Sequence, residues 1–202
     1  MKKKITIENI KKVFKNKNYT FFDSDTSYNL NIIGVRRNTA ESNDFDDYIV
    51  VIYKDENLEQ KTRIYKATTD PGKYWLENPM NTQGTAILVP NQYRSTWKLG
   101  KHKGQYEALV QYKAVKVWRD DDKDDELDYD VKVEEGHFGI NIHRSNPYTE
   151  SYYVGKWSAG CQVLAIKAEY DKFMKMINKS ADKFGDKFTY TLITEQDLDE
   201  VI

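Results

Sequence analysis

The chain has 202 residues, 31 lysines and arginines against 32 acids, a formal net charge of −1 and a single cysteine. Its length suits one domain with at most a small appendage. The balanced charge gives no global field for nucleic acid or an anionic membrane, and one thiol excludes an internal disulfide or a cysteine-rich metal cage.

Residues 6–16 carry Ile7, Ile10, Val13 and Phe14 at helical spacing with lysines between them, which predicts a short amphipathic helix packed on the domain. We take residues 1–25 as an N-terminal helical segment and 26–202 as the main domain. Residues 28–37 read as a strand and 38–47 as a polar turn region. The β-branched run 46–53 reads as a further strand, with a turn at 55–60 and a return strand at 62–69. Asp70-Pro71-Gly72 is a turn, because proline presets φ and glycine accepts positive φ. Residues 83–90 predict a short strand closed by Pro90, 91–106 a long loop rich in aromatic, glycine and basic residues, and 108–118 and 138–143 two more strands. In 167–184, Tyr170, Phe173, Met174, Ile177, Ala181 and Phe184 share one face and Gly185 is a stop, so this is the best helix. A closing strand at 187–194 and a short helix at 195–201 complete a pattern that is α+β and mostly β.

Chemistry concentrates around the lone thiol. Cys161 stands in Trp157-Ser158-Ala159-Gly160-Cys161-Gln162-Val163, and His143 lies eighteen positions upstream at the end of a strand-like run. Thiolate is the reactive form of cysteine and a nearby imidazole can generate it. A small residue and a glycine before the thiol allow a sharp turn that leaves the sulfur open. Backbone N–H groups at Gly160 and Cys161 are natural donors to an oxyanion, with Ser158 holding the turn or assisting them. Ser158 itself lacks a nucleophile elbow, since Lys156 stands where that motif needs glycine.

His143-x17-Cys161 with Ser158-x-Gly160 before the thiol resembles the signature of the L,D-transpeptidase catalytic domain, which acts on peptidoglycan. The resemblance is specific over about residues 138–166 and implies a β-sandwich-like fold with the long C-terminal helix packed on it. It implies Cys161 as the nucleophile attacking a stem-peptide carbonyl to form a thioester, and His143 as the base. The carbonyl of Arg144 would orient the imidazole, and the acyl group would pass to an amine or to water; no cofactor is needed. Ala159 stands where the family has a second histidine, and Val163 where it commonly has an arginine. Arg144 and Ser145 are candidates to orient the histidine or hold substrate, His102 to replace the lost histidine, and Tyr152, Tyr153 and Trp157 to form an aromatic wall. The basic start lacks the apolar stretch of a secretion signal, and no run approaches the roughly eighteen residues of a membrane span. The expectation is therefore synthesis in the cytoplasm with delivery to the wall by a phage particle or an injection machine, whose components would be partners. The alternative is a structural or wall-binding virion-type protein that keeps the fold without the chemistry.

Asp120, Asp122, Asp124 and Asp128 resemble part of a calcium loop, although Asp125 and Val131 occupy the places of its glycine and glutamate. A solvated acidic hairpin tip is the plainer reading. His137 and His143 could face one side of a regular strand, but no third zinc ligand stands nearby.

Overall fold

The computed structural model describes residues 1–202. Eight strands form a closed barrel: β1 (Asn31–Arg36), β2 (Asp47–Lys54), β3 (Gln60–Thr68), β5 (Gln92–His102), β6 (Tyr106–Gln111), β9 (Ile142–Arg144), β10 (Gln162–Leu164) and β11 (Lys187–Thr194). A separate sheet joins β4 (Thr85–Leu88), β7 (Val115–Asp120) and β8 (Val133–Gly136). The molecule is therefore α+β and mostly strand, but a barrel beside a small sheet replaces the expected sandwich. Closure comes from β11, which lies parallel to β1 on one side and antiparallel to β5 on the other.

The barrel is buried on both faces where its apolar runs are continuous. Along β2, Ile49, Val51 and Tyr53 point to the interior with Ile32, Trp97, Tyr190 and Leu192, while Val50 and Ile52 point outward. That outer face is covered by α1 (Ile7–Asn16) and α4 (Glu195–Asp199) through Ile10, Val13, Phe14 and Leu198. Thr6 caps α1, its Oγ1 accepting the Asn9 N–H at 3.1 Å, so the helix starts where its apolar stripe meets the sheet. Gly34 makes room for the packed interior, since a Cβ there would lie 1.9 Å from Tyr190 Oη. The long helix α3 (Lys167–Phe184) sets Tyr170, Phe173, Met174 and Ile177 into the same core as the inward strand residues.

Three expected elements differ. The strand expected at 138–143 is reduced to β9 at Ile142–Arg144, with residues 137–141 outside it. Residues 92–102 are a strand rather than a loop; its alternation is broken at Ser95, whose φ is +51°, opposite a register shift between Phe188 and Tyr190. The run 108–118 is two strands, β6 and β7, because the chain leaves the barrel at Tyr112–Ala114 to enter the small sheet. The short helix α2 (Lys73–Glu77) follows the Asp70-Pro71-Gly72 turn. No helix is long and apolar enough to cross a membrane.

Candidate active site

Parallel pairing of β9 and β10 assembles the site. The register sets Gln162 beside Ile142 and Val163 beside His143, so Cys161 falls next to Asn141. The Asn141 N–H points at Cys161 Sγ at 3.4 Å, and the thiol faces the Gly139 carbonyl at 3.5 Å. Asn141 and His143 are two apart in an extended run and share a face. The β5–β6 hairpin then brings His102 and Tyr106, paired across its tip, over the same spot. His102 stacks on His143 with ring centroids 3.8 Å apart and planes 19° from parallel.

The turn before Cys161 is tightly specified. Gly160 has φ +114°, and a Cβ there would meet the Ala86 carbonyl oxygen at 2.3 Å. Only glycine satisfies both conditions. Ser158 is fully buried; its Oγ accepts the Gly160 N–H at 3.1 Å and donates to the Cys161 carbonyl at 2.7 Å. Ser158 thus locks the turn. The Gly160 N–H is already engaged, so it is not the oxyanion donor expected from the sequence. The Cys161 N–H makes no hydrogen bond to the backbone and remains available.

His143 is almost fully buried, and its Nδ1 lies 2.8 Å from the Arg144 carbonyl oxygen. A carbonyl only accepts, so Nδ1 carries the proton and Nε2 presents a lone pair. That Nε2 has no partner. Tyr106 Oη supports the arrangement at 3.2 Å from both His143 Nδ1 and the Arg144 carbonyl. Burial, aided by His102, holds His143 down at about 3, and burial pushes the Cys161 thiol up to about 11. The resting pair is therefore neutral thiol and neutral imidazole, which suits proton transfer during attack rather than a preformed thiolate.

Cys161, His143 and His102 line one open cavity of about 250 Å³, whose walls include Trp75, Met80, Phe138 and Trp157. Its only cations are Lys103 and Lys156, and no acid lines it. A second cavity of about 280 Å³ shares Trp75, Met80, Phe138 and Ala159 with the first and runs on to His137 and Arg119. Ala159 thus sits at the junction, where a larger side chain would divide the groove. Trp75 is fixed there by its Nε1, which donates to the Lys156 carbonyl at 3.2 Å.

Other expected residues lie elsewhere. The Arg144 guanidinium stacks 4.1 Å over the Tyr106 ring and does not line the cavity, so its main-chain carbonyl is the part that serves the site. Ser145 is buried and donates to the Ala165 carbonyl at 3.1 Å, which makes it a strut and not a substrate ligand. Tyr153 borders a separate acidic surface hollow, and Tyr152 is exposed beneath Lys66. Asp120, Asp122, Asp124 and Asp128 do not converge: no group of three or more His, Cys, Asp or Glu is placed to hold a metal. Asp120 accepts the Asp128 N–H, Asp122 the Asp124 N–H and Asp124 the Glu126 N–H, so these carboxylates cap turns of an acidic loop. The Asn141, Tyr106, Trp75 and Lys156 contributions carry no local motif; only the pairing of distant strands and loops reveals them.

The fold and site define a β-barrel protein with a Cys/His pair in an open groove. No known family model, curated protein or solved structure matches the chain.

Proposed function

We propose that the protein is a cysteine acyltransferase or peptidase of the L,D-transpeptidase type, acting on peptidoglycan stem peptides. The observation that carries the reading is the buried, unpartnered Nε2 of His143, held in its accepting tautomer on a residue that lines one groove with Cys161. The thiol proton passes to Nε2 as Sγ bonds to the substrate carbonyl carbon. The carbonyl electron pair moves to oxygen, and the Cys161 N–H is a donor for that oxyanion. Collapse breaks the bond to the leaving amine, which takes the proton from His143 and leaves a thioester on Cys161. An amine or water then releases the acyl group. Lys103 and Lys156 supply the positive charge that a stem-peptide carboxylate requires, in place of the arginine missing at Val163. The aromatic and thioether walls, Trp75, Trp157, Phe138 and Met80, receive the peptide.

A non-enzymatic wall-binding role is the second reading. It is favoured by one contact: the thiol hydrogen faces the Gly139 carbonyl and not the imidazole. Intact-protein mass spectrometry with purified stem peptides separates the two. A Cys161-dependent adduct, or cleavage or exchange lost in Cys161→Ala, is expected for the enzyme. Binding of wall fragments with neither adduct nor product would establish the second reading.

A further inference from the structure

The hydrogen bonds around the stacked imidazoles determine both tautomers, and the two are complementary. Asn141 Oδ1 accepts the backbone N–H of Gln111 at 3.0 Å, which fixes the orientation of the amide. Its Nδ2 is therefore the atom 3.1 Å from His102 Nδ1. An amide nitrogen only donates, so His102 Nδ1 must accept. The proton of a neutral His102 then resides on Nε2, the ring nitrogen with no protein partner, on a residue that lines the groove with Cys161. The base beside it has the opposite arrangement, with Nδ1 protonated and Nε2 bare. The groove thus holds one imidazole that takes a proton and one that offers a hydrogen bond.

We propose that His102 is a catalytic residue whose Nε2–H, together with the Cys161 N–H, binds the oxyanion formed when Cys161 attacks a carbonyl. The proposal rests on the acyl-transfer reading. It supplies a second donor where the Gly160 N–H is already engaged by Ser158. Burial and the neighbouring Lys103 hold His102 down at about 4, so it remains a neutral donor near pH 7. The Asn141 clamp and the stacked ring hold the donor in place before the charge develops, as oxyanion stabilisation requires.

The test compares two reactions of the same thiol, acylation by p-nitrophenyl acetate and alkylation by iodoacetamide. Only the first develops an oxyanion. His102→Phe keeps a ring against His143 but removes the N–H, and His102→Gln restores an N–H donor. We expect His102→Phe to slow acylation about 100-fold, the scale of losing one oxyanion donor. Its alkylation should change less than about 3-fold, since no oxyanion forms there. His102→Gln should recover a large part of the acylation rate. Imidazole 15N shifts of the unsubstituted protein should show His102 protonated on Nε2 and His143 on Nδ1, which decides the tautomers without any variant. Unchanged acylation in a folded His102→Phe, or a proton on His102 Nδ1, overturns the role of His102. Failure of the unsubstituted protein to acylate, with alkylation intact, instead removes the acyl-transfer reading on which the role depends.

Discussion

At the scale of single residues, the groove keeps the Cys161 thiol uncharged. A thiol pushed up to about 11 by burial is protonated throughout the neutral range. Its thiolate fraction grows tenfold per pH unit and levels only near that value. Iodoacetamide alkylation of Cys161 should therefore rise log-linearly from pH 7 to 10. A plateau near pH 7 would mean that a thiolate–imidazolium pair exists at rest. Cys161 and His143 were legible in the sequence because their spacing and the Ser-x-Gly turn are local signals. The residues around them were legible only in part. His102 could be named as a candidate but not placed against His143, Tyr106 stood in a stretch that reads as loop, and Asn141 became informative only once β9 and β10 were known to run parallel. Arg144 divides between the two cases: the carbonyl expected to orient the imidazole lies 2.8 Å from its Nδ1, whereas the guanidinium suggested as a charged handle stacks on Tyr106.

At the scale of elements, regular periodicity was readable and irregular strands were not. The helix at 167–184 and the strand at 187–194 appear with the boundaries that their patterns predict. The strand β5 was hidden because Ser95 and a bulge interrupt its alternation. β10 was hidden because three residues are too few to show a period. The N-terminal helix was legible, and its packing makes it more than an appendage. Phe14 is buried against α4 and the outer faces of β1 and β2, with Tyr19 and Phe21 edge-on to its ring. Phe14→Ala should lower the unfolding free energy by about 3–5 kcal/mol in urea titration, the usual loss for a buried aromatic ring. A loss below about 1 kcal/mol would mark α1 as peripheral.

At the scale of the whole molecule, one buried cation joins the barrel to the small sheet. Arg36, from β1, lies 2.8 Å from Asp70 and donates to the Leu88 carbonyl of β4 at 2.9 Å. Burial and the neighbouring Asp70 raise Asp47 in the same cluster to about 7. Arg36→Met would leave two buried carboxylates without their cation, at a loss of about 3–5 kcal/mol at pH 8. A carboxyl whose folded pKa is raised binds more protons in the folded state than in the unfolded chain. Stability from that group is therefore present at low pH and is lost as pH rises toward about 7. The deficit of Arg36→Met should accordingly shrink between pH 8 and pH 5, and an equal deficit at both would show that charge is not its cause. The barrel closure has a further consequence for biosynthesis. Because β11 slots between β1 and β5, both of those strands keep an open edge until the chain has been synthesised through residue 194. A nascent chain halted earlier is an unclosed sheet with two adhesive margins, so ribosome-stalled or prematurely released fragments should depend on chaperones more than the closed barrel does.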